Sequence, residues 1–227
     1  NPASIKTQYE LCRYVNQYAQ GSSNTTNYQW AYMYNMITAS NGVLDLCKKV
    51  TFSGTGADSK KATVKAWAYW WKGYAYAQIG SMYYAGIIQN NAPSMATTNG
   101  NYVSKEAIIK ESNANYDSCV AALGAASSAA DYTTTITKLV PSFLQKGKGG
   151  ALTVDMWKRN INTMKARNIL VNTPVSAMSA AQWGSILTLT TDGVKSTDLI
   201  FTARTDAAGS FIENTVADKT SQSSAAG

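Results

Sequence analysis

Residues 65–86 read KAWAYWWKGYAYAQIGSMYYAG, with three tryptophans, five tyrosines and no proline. On a helical wheel at about 100° per residue, Trp67, Trp70, Trp71 and Tyr74 share one arc. Ala66, Gly73, Ala77 and Gly80 form a small-residue stripe beside it, and Tyr69, Tyr76 and Tyr83 lie roughly opposite. A helix that is apolar around its circumference is buried on more than one side, and small residues let a neighbouring backbone approach. The spacing therefore predicts a helix from Ser59 to about Tyr84, with Trp67, Trp70 and Trp71 mostly buried between helix layers. Tyrosines keep a polar tip and suit a boundary. Tyr83 and Tyr84, at the helix end beside a polar loop, are expected to show a face to solvent.

The flanking segments repeat helix and loop. Ahead of the aromatic stretch, Asn27 is read as the cap of a helix over residues 28–49, with Trp30, Tyr34, Ile37, Asn41 and Leu44 on one stripe. Ile5, Tyr9, Cys12 and Val15 sit at helical spacing further upstream. Behind it, residues 85–103 read as a long loop punctuated by Pro93 and Gly100. Ser104 caps a helix to about Ala126, with Glu106 favourable near its positive end. Residues 138–150 read as loop, and their KGKGG follows no strand and lacks the spacing of a phosphate loop. Thr153 or Asp155 caps a helix to about Asn172, and Ser179 caps a last short one carrying Trp183, Ile186 and Leu187. The apolar residues 199–202 suit strand or coil. No period-2 alternation is sustained, so the expected class is all-α, built of paired helices like a tetratricopeptide array with irregular loops.

Composition narrows the function. The 227-residue chain is 45% hydrophobic but only 15% charged, against about a quarter in ordinary proteins. Asn, Ser, Thr, Gln and Tyr take the place of charge, which suits neutral polar ligands. The net charge is +7, yet Lys48, Lys49, Lys60, Lys61, Lys65, Lys72, Lys146 and Lys148 are scattered and arginine is scarce. They read as a solvated basic face and not as a nucleic-acid footprint. Three cysteines, Cys12, Cys47 and Cys119, without CxxC spacing or any histidine, argue against a zinc site and for buried thiols. The 13 acidic residues show no paired-carboxylate motif, and Asp192 and Asp198 read as turn and capping groups. Without histidine the commonest general base is missing. The expectation is a binding protein, not an enzyme, with no cofactor and no metal.

Four stretches resemble the SusD/RagB family of outer-membrane nutrient-binding lipoproteins of Bacteroidota. They are WAYMYNMITASNGVLD at 30–45, the aromatic stretch at 65–86, SKEAIIKESNANYDSCVAAL at 104–123, and WKRNINTMKARNILVN at 157–172 with Asn162, Ala166 and Arg167. The order and spacing of the four carry the likeness. The resemblance implies that residues 1–227 form a single SusD-like helical domain, a partial chain lacking its lipidated N-terminus and its C-terminal region. It implies a lipoprotein exposed on the cell surface, held to the outer membrane only by its lipid. Its partner would be a SusC-like TonB-dependent barrel, to which it passes an oligosaccharide or peptide. The alternative is a SusD-like structural subunit of an outer-membrane assembly or secretion complex, without a small ligand.

Ligand contacts are sought among loop-borne aromatics and amides, because rings stack on sugar faces and amides match hydroxyls. Before the first paired helix these are Asn27, Tyr28 and Trp30. After the second they are Tyr83, Tyr84, Asn90 and Asn91. Against this, Trp30 also continues the buried stripe of its own helix.

Overall fold

The computed structural model describes residues 25–92, 99–140 and 151–198. The described residues are mostly helical, 73% of them, with little strand, consistent with the expected all-α class. The helices are α1 (Thr25–Lys49), α2 (Ala57–Met82), α3 (Lys105–Gly124), α4 (Ala129–Leu139), α5 (Val154–Asn172) and α6 (Ala180–Thr191), with a 3-10 turn at Val175–Ala177. The expected helix over residues 5–19, Cys12, Pro93, the KGKGG segment and residues 199–202 lie outside the described residues.

The aromatic stretch is the central helix, α2, and it is buried on two faces. One face carries Ala66 and Trp70 into a cluster with Tyr116, Cys119 and Leu123 of α3, Tyr132 and Ile136 of α4, and Trp157 and Ile161 of α5. The opposite face carries Ala75, Tyr76 and Ile79 against Met33 and Ile37 of α1 and Ile108 of α3. Trp70 is buried as expected, whereas Trp67 and Trp71 are only partly buried at the edge of the first cluster. They still pack edge-on, Trp71 against Trp70 at 4.7 Å and against Trp67 at 5.4 Å between ring centroids.

The small-residue stripe is where α3 crosses α2, antiparallel to it. A Cβ on Gly73 would sit 2.8 Å from the Tyr116 ring and 3.2 Å from the Ser112 carbonyl oxygen. A Cβ on Gly80 would sit 2.8 Å from Ile109 and 3.1 Å from the Lys105 carbonyl oxygen. Ser112 Oγ uses the proximity to donate to the Gly73 carbonyl at 2.7 Å. Polar side chains on α5 then tie it to the pair. Trp70 Nε1 donates to Asn160 Oδ1 at 2.9 Å, Asn168 Nδ2 donates to Ser112 Oγ at 3.1 Å, and Asn172 Nδ2 donates to Ser81 Oγ at 3.1 Å. Asn162 faces the other way and donates to the Asp192 carbonyl at the end of α6, at 3.0 Å.

Several boundaries differ from the sequence reading. α1 is already helical at Thr25, so Asn27 lies in its first turn and is not its cap. α2 starts at Ala57, two residues early, because Gly56 takes the left-handed conformation (φ 73°) that redirects the chain into it. α2 stops at Met82, and Tyr83 is extended. The expected loop after it contains a short antiparallel pair, β1 (Ala85–Ile87) and β2 (Tyr102–Ser104), with Gly86 opposite Val103. Helix α4 was not read from sequence, because its threonine run has low helix propensity. It is held instead by the Ser128 side chain, which accepts from Asp131 N, and by burial of Tyr132 and Ile136 one turn apart. The expected caps hold at α3 (Ser104), α5 (Thr153) and α6 (Ser179, with Gln182 completing a capping box).

Candidate functional site

The strand that follows α2 positions the site, and two tyrosines hold that strand. Tyr34 Oη donates to the Ile87 carbonyl at 3.2 Å and accepts from Ile87 N at 2.6 Å. Tyr76 Oη does the same at Gln89, at 3.0 and 2.8 Å. The two hydroxyls thus supply the backbone partners that a third strand would give. Asn41 Nδ2 adds a bond to the Gln89 carbonyl at 2.8 Å. Burial pushes the Tyr34 and Tyr76 hydroxyls above their ordinary pKa, so both stay protonated donors.

At one end of this strand the structure assembles an aromatic ledge. Trp30 of α1 meets Tyr83 edge-on at 4.9 Å, tilts against Tyr34 at 4.6 Å, and lies nearly parallel to Tyr102 of β2 at 6.4 Å. Trp30 and Tyr83 are half-buried, while Tyr102 is 64% exposed and forms the outer surface. Tyr28 stacks on Tyr32 at 6.5 Å one turn away, and both are exposed. Asn27 is exposed beside them. Tyr84, at 96% exposure, projects into solvent.

At the other end, a cavity of about 520 Å³ opens between α1, α2 and α3. Asn90 and Asn91 lie at its rim, exposed. Asn41, Leu44 and Lys48 line it from α1, Lys61, Lys65, Tyr69 and Lys72 from α2, and Glu111 and Asn115 from α3. Glu111 Oε1 accepts from Asn90 Nδ2 at 3.2 Å and from Asn115 Nδ2 at 2.9 Å. Asp45 is engaged by Lys49 at 2.6 Å. Cys47 is a buried free thiol on the cavity wall, its pKa raised by burial against the pull of Lys61 and Lys65.

The structure therefore gathers Trp30 and Tyr83 into the ledge and Asn90 and Asn91 at the cavity, while Tyr28 pairs with Tyr32 and Tyr84 projects into solvent; Asn27 is exposed in the first turn of α1. The two features share one stripe of α1, since Trp30, Tyr34, Asn41, Leu44 and Lys48 recur at helical spacing. From Trp30 to Asn41 is eleven residues, about 16 Å along the axis. Sequence reasoning missed Tyr102, hidden in the expected loop. It also missed Lys72, assigned there to a solvated face but buried at 4% exposure. The signal for Lys72 was its place between Trp71 and Gly73 in the helix with rings and small residues around its circumference. Asp198 is both a turn group and an ion-pair partner: it accepts from Lys195 N at 3.0 Å and takes a two-pronged Arg159 fork at 2.7 and 2.6 Å.

Among the described residues no group of His, Cys, Asp or Glu side chains could hold a metal ion. No described helix is long and apolar enough to cross a membrane. Comparison with models of protein families, with curated proteins and with solved structures finds no match to this chain.

Proposed function

We propose that the chain is a cell-surface nutrient-binding lipoprotein of the SusD-like kind, binding an oligosaccharide or peptide beside a SusC-like TonB-dependent barrel at the outer membrane. The four sequence stretches that resemble the family fall on α1, α2, α3 and α5 in order. These helices pack as antiparallel neighbours along the chain, compatible with a tetratricopeptide-like scaffold. The observation that carries the binding role is the ledge of Trp30, Tyr83 and Tyr102, joined along α1 to an amide-lined cavity. The exposed Tyr102 ring, with the cavity amides further along α1, suits an extended ligand with apolar faces and hydroxyl edges. Because the ledge is open, binding should be weak.

A calorimetric screen of the chain against glycans and peptides tests this. Binding that falls on Tyr102→Ala with no loss of melting temperature supports it, since Tyr102 is an exposed ring. Turnover of any glycan, or salt-sensitive binding to nucleic acid in place of either ligand, overturns it.

One observation favours a second reading, a structural subunit without a small ligand. Helix α6 buries none of its residues, and Trp183, Leu187, Val175 and Val171 remain exposed near one another in sequence and along the α5–α6 hairpin. An apolar face of this kind suits docking on a larger body. Stable association with an assembly complex that is lost on Leu187→Glu, with no glycan or peptide bound, would select it.

A further inference from the structure

The cavity holds a lysine that is almost out of solvent. Lys72 is 4% exposed and lines the cavity, and among the described residues its ammonium makes no hydrogen bond. Glu111 attracts it through space, while Glu111 Oε1 accepts from Asn90 and Asn115. Burial lowers the pKa of Lys72. Desolvating an ammonium that makes no hydrogen bond is unfavourable, and this one lines a cavity of ligand size.

The surroundings select the sign and the chemistry of the missing partner. Lys61, Lys65, Tyr69 and Lys72 follow one another at helical spacing on a single face of α2, and Lys48 joins them from α1. Against these four lysines stand Glu111 and Asp45, and Asp45 is already paired with Lys49. The site therefore favours an anion. On the glycan-binding reading, the anion that fits is a carboxylate carried on a sugar ring.

We propose that this cavity binds a sugar acid, the carboxylate-bearing unit of an acidic oligosaccharide, with its carboxylate on the Lys72 ammonium. The inference rests on the glycan-binding reading above and names the substrate class of that site. The rest of the chain would run along α1 toward the ledge of Trp30, Tyr83 and Tyr102.

The test is calorimetry on the whole 227-residue chain with galacturonic acid oligomers and galactose oligomers of equal length, with acetate and a glutamate-rich peptide as further probes. The acidic oligomer should bind about tenfold or more tightly than the neutral one, the worth of a hydrogen bond to a charged group. Lys72→Met should remove that advantage without lowering the melting temperature, because it deletes a desolvated charge that makes no hydrogen bond among the described residues. Equal binding of acidic and neutral oligomers, or an unchanged preference in Lys72→Met, overturns the sugar-acid assignment and leaves glycan binding standing. Acetate or the peptide binding as tightly as the sugar acid overturns the saccharide part. No binding of any glycan overturns this inference and the glycan-binding reading together.

Discussion

Two mid-helix glycines make a matched test of how α2 and α3 meet. Gly42, within α1, has nothing within 4 Å of a Cβ placed on it. Gly73, within α2, would put that Cβ 2.8 Å from two atoms of the Tyr116 ring and 3.2 Å from the Ser112 carbonyl oxygen. Replacing either by alanine removes the same backbone entropy cost, so each gains about 0.5–1 kcal/mol from propensity alone. At Gly42 nothing opposes the gain, and Gly42→Ala should stabilise by that amount. At Gly73 the methyl has no room. Tyr116 is fully buried and cannot swing out, and separating the helices would break the Ser112 Oγ to Gly73 O bond. Overpacking of this kind costs about 1–3 kcal/mol, more than the propensity gain. Gly73→Ala should therefore destabilise, by about 0–2.5 kcal/mol once the two are set against each other. Gly80→Ala should fall between, because the nearest atoms are the flexible end of Ile109. Urea denaturation of the three variants, with the midpoint shifting at constant slope, measures this directly. If Gly73→Ala stabilised as much as Gly42→Ala, the helices would not meet along the small-residue stripe and the two-sided core around α2 would be wrong.

Trp70→Ala should cost about 3–5 kcal/mol, as truncation of a large buried aromatic does, and a loss under about 1 kcal/mol in chemical denaturation would contradict the packing. The Arg159 fork holds the Asp198 carboxyl at about 2, below its ordinary value of 3.8. A depressed folded pKa contributes stability that is present above the ordinary value and lost as pH falls through it toward 2. Acid unfolding followed by tryptophan fluorescence should therefore steepen across that window, and Arg159→Met should flatten it. Ser179→Ala removes one half of the α6 capping box and should cost about 1 kcal/mol, seen as loss of helical circular dichroism on heating before the rest of the chain melts.

Much of the fold was legible because the aromatic stretch is unambiguous. Its wheel has rings on two sides and small residues between them, which is the pattern of a helix with neighbours on both faces. Its caps were partly legible for the same local reason: Ser104, Thr153 and Ser179 each precede a helix and bond its third residue. Where the reading failed, the deciding interaction was not local. Ala85–Ile87 shows no strand pattern in three residues, and its pairing with Tyr102–Ser104 skips a segment of the chain. Tyr34 and Tyr76 looked like members of an apolar stripe, and only the packing of α1 on α2 reveals that their hydroxyls act as a strand partner. The threonines of α4 argue against a helix one by one, and tertiary burial of Tyr132 and Ile136 overrides them.

The candidate site shows the same division more sharply. Lys48, Lys61, Lys65 and Lys72 are dispersed in sequence, and dispersed lysines normally mark a solvated surface. Helical period alone places the last three on one face of α2. What sequence could not supply is that α1 lies antiparallel along that face and brings Lys48, Asn41 and the rim residues Asn90 and Asn91 to it. The local rule says which residues share a face, and only packing says which faces meet. Lys72 is where the expectation for a lysine breaks furthest, since it sits beside Trp71 in an apolar helix and loses most of its solvent, with Glu111 attracting it only through space. A fold selected for stability alone would replace it with methionine or leucine at little cost in volume. Its place in the hollow that also carries the sequence-derived Asn90 and Asn91 is the kind of local violation expected where a ligand completes the structure.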